Sequence, residues 1–204
     1  METSDVILHG GGEHARVVLD CLLSNGVHVA ALFDPKYSGS LMGIQQRGTY
    51  DPNFHPHAKA IVSIGSNAVR KKAVSVTKHT FTNAVHNSAL ISKSVVIGVG
   101  NMILHGAIVQ AFATLGNHVI VNTRAQIDHD CVLGDFTHVA PGCILCGTVE
   151  VGEGTLIGAG AVVLPGRKIG KWATIGAGAV ITKDVADFSV VVGNPGRVVK
   201  SDNS

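Results

Sequence analysis

The segment "VNTRAQIDHDCVLGDFTHVAPG", residues 121–142, carries an aliphatic residue at every sixth position. The four aliphatic positions in this segment are Val121, Ile127, Leu133 and Val139. The spacing continues in both directions, so that sixteen consecutive sixth positions from Ile91 to Ile181 are Ile, Leu or Val. If a third of all positions were aliphatic by chance, sixteen in a row would have a probability of roughly one in forty million. The sequence therefore contains a six-residue repeat.

The residues around each aliphatic site indicate what the repeat forms. The residue two positions earlier is mostly small or β-branched, and alternate residues of a strand share a face, so both are predicted to point inward. Glycine often follows the aliphatic site, as a tight corner requires. The pattern predicts a parallel β-helix with three short faces per coil, in which residues eighteen apart stack at about 4.8 Å. Because the register never slips, about five uninterrupted coils are expected from about residue 88 to 185.

Residues 1–85 follow a different pattern. The run "VILHGGGEHARVVLDCLLSNGVHVAALFD" alternates strand, glycine turn, helix and strand, with the spacing G-x-G-x-x-A and a final Asp34. A second unit consists of the strand "AIVSIG" and a helix that opens at Gly65–Asn67. Two such turns present backbone N–H groups along one sheet edge, where phosphates bind. The region supplies only one mononucleotide-sized half of a dinucleotide fold, which favours a nucleotide sugar over NAD.

Some features of this region stay open. A plain βαβ scaffold, whose glycines only make turns, is the alternative to a nucleotide site. The segment 35–60, which contains Pro35, Pro52 and Pro56, is expected to be mostly loop.

Composition narrows the function classes. A net charge of +2 with 15% charged residues offers no basic patch for nucleic acid. Neither a signal peptide nor a membrane span is predicted, because no basic leader and no long apolar segment is visible. Four irregularly spaced cysteines fit a reducing compartment. We therefore expect a cytoplasmic protein without nucleic-acid or membrane partners.

The chain resembles the bacterial nucleotide-sugar N-acetyltransferases of the hexapeptide-repeat family, close relatives of the sialic acid O-acetyltransferases. The motifs that carry the resemblance are "GGGEHARVVLD", "SIGSNAVRKK", "AVHNSALIS", "NTRAQIDHDCVLGDFTHVAPG" and "VVGNPGRVVK". The resemblance implies a small Rossmann-like nucleotide-sugar-binding domain over residues 1–85 and a left-handed β-helix acetyltransferase domain with a C-terminal tail over residues 86–204. It also implies transfer of an acetyl group from acetyl-CoA to the 4-amino group of a UDP-, GDP- or dTDP-linked deoxy sugar. A homotrimer without a metal, acting in glycan biosynthesis, is implied as well.

The resemblance also assigns roles to residues. The catalytic base falls on His129, with Asp130 raising its basicity, and the oxyanion-binding amide falls on Gly147. The active-site asparagine falls on Asn122, beside the sugar, and the second active-site histidine falls on His138, which would position acetyl-CoA. The implied nucleotide contacts are Gly12, His14, Asp34, Gly65 and Asn67.

The phase of the repeat agrees with these roles. His129 lies at a corner, and Gly147 is eighteen residues later, directly beneath it. Asn122 and His138 fall on the neighbouring edge, which continues as a smooth strip where coenzyme A could lie. The strip consists of Gly158, Ala159, Gly160, Gly176, Ala177 and Gly178. The two edges are roughly 15–20 Å apart on one chain by strand rise, so they would meet most easily across a subunit interface.

Three other functions compete with N-acetylation. The same residues could acetylate a hydroxyl, so a sugar or sialic acid O-acetyltransferase is the nearest alternative. A zinc carbonic anhydrase of this fold needs three histidine ligands, whereas His129 and His138 lie nine residues apart on different edges. A non-catalytic nucleotide-sugar-binding scaffold would not require His129 beside Asp130.

Two positions depart from the family pattern. Glu13 stands where the family usually has glycine, and its carboxylate could compete with a phosphate for the helix N-terminus. Gly196 replaces an alanine in the tail motif, a change expected to be mild. Among the remaining polar residues, Cys131 and Cys143 are predicted in the core. Four histidines are expected at the surface without a role: His55, His57, His79 and His118.

Overall fold

The computed structural model describes residues 5–201, which form an N-terminal α/β domain followed by a β-helix. The elements of the first domain are β1 (Val6–His9), α1 (Glu13–Ser24), β2 (Val29–Phe33), β3 (Gly39–Leu41), β4 (Ile44–Arg47), β5 (Lys59–Val62) and α2 (Asn67–Val76). The five strands form one sheet in the order β3-β4-β2-β1-β5. Neighbouring strands are parallel except for the pair β3 and β4. The predicted Rossmann-like arrangement is confirmed.

Helix α1 packs one apolar face against this sheet. Ala15, Val18, Leu19 and Leu22 recur every three to four residues and are all buried. They share a cluster with strand residues such as Leu32. Burial of each large side chain contributes about 1.5–3 kcal/mol, which is enough to order a helix of this length.

A hairpin lies within the segment 35–60. Strands β3 and β4 are joined by Met42 and Gly43, which have φ values of 50° and 83°. Two consecutive positive φ values are typical of the turns that match the twist of a hairpin. The expectation of a mostly irregular segment overlooked these two strands, because "MG" is a weak turn signal beside the usual Asn-Gly or Asp-Gly.

The β-helix has one short strand at every sixth residue and no inserted loop from residue 84 to residue 181. Face 1 contains β6 (Ala84–Val85), β9 (Met102–Ile103), β12 (Ile120–Val121), β15 (His138–Val139), β18 (Leu156–Ile157) and β21 (Thr174–Ile175). Face 2 contains β7 (Leu90–Ile91), β10 (Ile108–Val109), β13 (Gln126–Ile127), β16 (Ile144–Leu145), β19 (Val162–Val163) and β22 (Val180–Ile181). Face 3 contains β8 (Val96–Ile97), β11 (Thr114–Leu115), β14 (Val132–Leu133), β17 (Glu150–Val151) and β20 (Lys168–Ile169). Residues eighteen apart pair in parallel, for example Gln126 with Ile144, as predicted.

The aliphatic periodicity forms the core of the β-helix. The fourteen periodic residues from Ile103 to Ile181 are buried. Ile91 and Ile97, in the first coil, pack against the same core but are only half-buried, because no further coil covers them. Cys131 and Cys143 are fully buried inside the coils, as predicted.

The N-terminal domain covers the upper part of face 1. Its α1 side chains share a cluster with Met102, Leu104 and Ile120 of the β-helix. On this face Met102 pairs with Ile120, and Ile120 pairs with His138, so His138 lies one coil below the apolar contact. The domain packing thus brings the glycine turns of the first domain next to β15.

Two histidines expected at the surface are buried, so that prediction was wrong for both. The Tyr50 hydroxyl lies 2.6 Å from Nδ1 of His79. His118 stacks on Phe136 and meets Phe81 edge-on, where the two domains touch. Sequence periodicity reports local geometry and not which face a second domain will cover.

The chain ends in a hairpin. Strand β23 (Ser189–Val192) extends face 1 in parallel with β21, and β24 (Arg197–Ser201) folds back on it antiparallel. In the part of the chain that is described, no helix combines the length and apolarity needed to cross a bilayer.

Candidate functional site

His129 lies at the corner between β13 and β14 and is held by acidic residues on both sides. Its Nδ1 lies 2.8 Å from Oδ2 of Asp130, and its backbone N–H donates to Oδ1 of Asp128 at 2.7 Å. The hydrogen bond that Asp130 accepts from the ring, followed by the charge of Asp128, raises the pKa of His129 above its ordinary value. With Nδ1–H donating to Asp130, the lone pair of the neutral ring is on Nε2, as a general base requires.

Gly147 lies directly beneath this imidazole, as the eighteen-residue period predicted. A Cβ atom on Gly147 would stand 2.6 Å from both Cε1 and Nε2 of His129, so no side chain fits there. The position also leaves a donor free. Asp128 accepts the N–H of His129, but the equivalent residue before Gly147 is Cys146, which has no side-chain oxygen. Among residues 5–201 no acceptor is found for the Gly147 N–H.

His138 points outward from face 1, but the N-terminal domain covers it. Its Nδ1 lies 3.3 Å from the carbonyl oxygen of Gly65, and its ring centroid is 6.1 Å from that of His14. Burial, together with the nearby positive charge of Arg70, lowers the pKa of His138 to about 3. With its pKa lowered in this way His138 is neutral near pH 7, and it borders the first domain of its own chain instead of an open edge.

Asn122 and His138 meet, as the repeat predicted. The Asn122 Oδ1 accepts the N–H of Thr123 at 2.8 Å, which orients the amide so that Nδ2 donates to Nε2 of His138 at 3.1 Å. With Nε2 as an acceptor, the imidazole proton is on Nδ1 and points to the Gly65 carbonyl. One chain of hydrogen bonds thus joins the corner at Asn122 to the second glycine turn.

The predicted coenzyme strip is exposed and smooth. Ala159 and Ala177 are exposed, and nothing lies within 4 Å of the position that a Cβ would take on Gly160 or Gly178. At Gly158 and Gly176, in contrast, a side chain would collide with a neighbouring part of the chain. A Cβ on Gly158 would lie 2.6 Å from the nitrogen of Ala177.

A cleft of about 450 Å³ opens between the two glycine turns of the first domain. Four of the five residues predicted to contact the nucleotide line it: Gly12, His14, Asp34 and Gly65. Asp34 also fixes the position of the first turn, because its carboxylate accepts the N–H of Gly11 at 2.9 Å. The other carboxylate oxygen accepts the N–H of Lys36, also at 2.9 Å. Burial lowers the pKa of His14 to about 4, so this cleft histidine is neutral.

Asn67 does not line the cleft, and its assignment as a nucleotide contact finds no support in the geometry. Its Nδ2 donates to the Gly154 carbonyl at 2.9 Å, and its Oδ1 accepts from Arg70 at 2.8 Å. The amide is therefore used to join the first domain to the β-helix, a contact that no local pattern reveals.

Sequence reasoning missed several polar residues of the cleft, among them Tyr37 and Lys72. Tyr37 lies beside Gly12 in an irregular segment, where no periodic signal is available. Lys72 follows Val69 by three residues on α2, and both line the cleft. The spacing of Val69 and Lys72 would have placed them on one helix face. Glu13 also lines the cleft and is exposed.

Comparison with known proteins identifies the family. Residues 5–77 match the PglD N-terminal domain, and residues 148–183 match the bacterial transferase hexapeptide (six repeats). A variant of perosamine N-acetyltransferase from Caulobacter crescentus, solved with CoA and GDP-perosamine, is 33% identical with a TM-score of 0.91, over 97% of this chain and 98% of that chain. The acetyltransferase domain of PglB from Neisseria gonorrhoeae FA1090, solved with acetyl coenzyme A, is 32% identical with a TM-score of 0.91, over 97% of this chain and 100% of that chain. The chain belongs to the hexapeptide-repeat nucleotide-sugar acetyltransferases.

Membership in this acetyltransferase family confirms the resemblance noted from the sequence, including the left-handed β-helix. UDP-N-acetylbacillosamine N-acetyltransferase from Bacillus subtilis (strain 168) is 34% identical in an alignment of length 111 that covers 49% of this chain. The aligned regions span only 24% and 51% of the lengths of two curated relatives. Within residues 5–201 no group of three or more His, Cys, Asp or Glu side chains is arranged to hold a metal ion.

Proposed function

We propose that this acetyltransferase-family protein transfers the acetyl group of acetyl-CoA to the 4-amino group of a nucleotide-linked amino-deoxy sugar. The observation that carries the proposal is the His129–Asp130 pair, whose imidazole lies against Gly147, a residue whose N–H has no acceptor within residues 5–201. A base and an oxyanion donor about one strand spacing apart are what acyl transfer to an amine requires. The relatives solved with CoA and with a GDP-linked amino sugar support the same substrate classes.

The chemistry follows from these positions. The sugar amine attacks the thioester carbonyl carbon and forms the C–N bond, while the carbonyl π electrons move to oxygen. The N–H of Gly147 stabilises that oxyanion, and Nε2 of His129 takes the proton that the amine loses. When the tetrahedral intermediate collapses, the C–S bond breaks and the thiolate of coenzyme A leaves. The imidazolium, stabilised by Asp130, can then protonate the thiolate.

The acceptor is proposed to bind in the cleft of the first domain. Two strand-to-helix turns meet there, and their unpaired N–H groups suit a diphosphate. Asp34 follows β2, lines the cleft and is bonded to the first turn. Its carboxylate would accept a hydrogen bond from a ribose hydroxyl of the bound nucleotide. Tyr37 and Lys72 add an aromatic ring and a positive charge to the same cleft.

The complete site is proposed to form between subunits of a homotrimer. The His129 corner and the cleft share no contact among the described residues of one chain. Coenzyme A would lie between the His129 corner of one subunit and the strip at Ala159 and Ala177 of the next. We propose that the protein acts in the cytoplasm, in glycan biosynthesis.

A substrate screen tests the proposal. UDP-, GDP- and dTDP-linked 4-amino sugars are incubated with acetyl-CoA, and the release of free thiol is followed. We expect release with one amino sugar, little release with the matching 4-hydroxy sugar, and loss of release in His129→Ala. Preference for the hydroxy sugar would identify an O-acetyltransferase. Binding of the sugar nucleotides without any thiol release would identify a non-catalytic binding protein.

A further inference from the structure

We propose that Arg70 is the positioning residue of the nucleotide site: it orients the peptide groups of the turn at residues 64–66 so that their N–H groups bind the diphosphate. The inference rests on the proposed function, because it takes the cleft to be the acceptor site. Arg70 does not line the cleft and would not touch the ligand. Nothing in the glycine-turn pattern points to it.

Arg70 is fully buried and all five of its N–H groups can be assigned a partner. Its acceptors are the carbonyl oxygens of Ile64 (3.0 Å), Gly65 (3.1 Å), His118 (3.0 Å) and Phe136 (2.8 Å) and Oδ1 of Asn67 (2.8 Å). Two of these acceptors belong to the turn and two to corners of the β-helix. A guanidinium that spans both domains in this way fixes the turn against the β-helix.

The charge of Arg70 has no acidic partner within residues 5–201. Burial lowers the pKa of Arg70 to about 9, which still leaves the guanidinium charged at neutral pH. Burying a charge without a counter-ion is costly, even when its hydrogen bonds are satisfied. A bound diphosphate would supply the missing negative charge on the other side of the turn.

The direction of the carbonyl groups sets the direction of the amides. In a trans peptide the C=O and the following N–H point in opposite directions. Because the carbonyls of Ile64 and Gly65 point to Arg70, the N–H groups of Gly65 and Ser66 point away from it. Ile64 and Gly65 line the cleft, and neither of the two N–H groups has an acceptor among the described residues.

The same turn connects to the proposed catalytic region. The Gly65 carbonyl accepts from Arg70 and also lies 3.3 Å from Nδ1 of His138. A phosphate bound to the N–H side of the turn would therefore be one peptide group away from His138. Arg70 thus holds in place the element that the acceptor and His138 share.

The test compares Arg70→Lys with Lys71→Met. Lysine keeps the charge but has three donors instead of five and cannot hold both carbonyls of the turn together with the β-helix. Lys71, the next residue of α2, pairs with Glu153 of the β-helix and lies near the Phe136 and Trp172 rings, but it does not touch the turn. Calorimetry measures the binding of UDP, GDP, dTDP and their nucleosides to each intact variant.

For the nucleotide that binds best, we expect Arg70→Lys to lower the affinity for the nucleoside diphosphate at least about ten-fold. The affinity for the nucleoside should fall less than about two-fold. Lys71→Met should leave both affinities near those of the unaltered protein. Equal losses for diphosphate and nucleoside, or the same diphosphate loss in Lys71→Met, would overturn the inference, since either result means general damage to the domain contact.

A second measurement applies if Arg70→Lys does not fold. In the unaltered ¹⁵N-labelled protein, the amide signals of Gly65 and Ser66 should shift with the nucleoside diphosphate and stay in place with the nucleoside. Unmoved amide signals in the presence of bound diphosphate overturn the role of the turn. If the unaltered protein binds no nucleoside diphosphate, the acceptor assignment fails and this inference fails with it. Diphosphate binding without acetyl transfer contradicts only the proposed function.

Discussion

At the scale of single residues, the carboxylate beside His129 controls the pH at which the base works. The pKa of His129 is raised first by its hydrogen bond to Asp130 and then by Asp128. Below that pKa the imidazole is protonated and cannot accept a proton, so kcat/KM should fall on the acidic side. Asp130→Asn removes the larger cause, lowers the pKa and should move the acidic limb of the pH–rate profile to lower pH. Asp128→Asn, whose side-chain oxygen can still accept the His129 N–H, should move the acidic limb less. An unmoved limb in Asp130→Asn would show that another group titrates.

Gly147 allows a second residue-scale prediction. A methyl group at this position would collide with the imidazole of His129, whereas the backbone of Gly147 does not have a positive φ. Gly147→Ala should therefore displace the ring and lower kcat by about 10²–10⁴-fold, the usual effect of losing a general base. The thermal midpoint should drop as well. In the His129→Ala background the same substitution should change stability very little. An equally large loss of stability in that background would show that the alanine does not act by colliding with His129. This contact was predictable from the sequence, because it depends only on the eighteen-residue period.

At the scale of elements, the contact between the two domains depends on neutral histidines. The pKa of His14 and of His118 is lowered to about 4 and that of His138 to about 3, each mainly by burial. In the unfolded chain they titrate near the ordinary value of 6.5. Unfolding then takes up protons at these three histidines below about pH 6.5, so their contribution to stability should be constant above neutral pH and decline as the pH falls toward 4.

Chemical unfolding at fixed protein concentration from pH 8 to pH 5 measures this proton uptake as the slope of stability against pH. His118→Phe is the matched variant, since the ring position lies between Phe81 and Phe136 and phenylalanine can fill it. Its slope should be smaller by about one proton per chain. A slope unchanged in His118→Phe would mean that His118 is not neutral in the folded protein.

The same elements show where sequence reasoning stops. The β-strands and their register followed from one period, because each coil repeats the same local environment. The surroundings of His118, Asn67 and Arg70 could not be predicted in this way, since they depend on how α2 packs against corners of the β-helix that are 48 to 87 residues away in the chain. Packing between elements that are distant in sequence leaves no periodic trace in either of them.

At the scale of the whole molecule, the proposed site requires two copies of the chain. The base sits on the corner between faces 2 and 3, whereas the acceptor cleft and His138 are associated with face 1. A closed ring of three subunits would bring the His129 corner of each next to face 1 of its neighbour. Light scattering should therefore give three times the chain mass, and a monomer at micromolar concentration would contradict a site between subunits.

Mixed trimers give the decisive form of this prediction. His129→Ala removes the base, and Gly65→Asp places a carboxylate at the phosphate turn; a Cβ there meets only ordinary contacts, the nearest at 3.7 Å from His14. Each variant alone should be inactive. When the two are co-expressed in equal amounts and assemble at random, about one quarter of the sites should combine an intact His129 from one subunit with an intact cleft from its neighbour. Activity near a quarter of the unaltered protein is the expected result, whereas complete inactivity of verified mixed trimers would place both groups of each site in one chain.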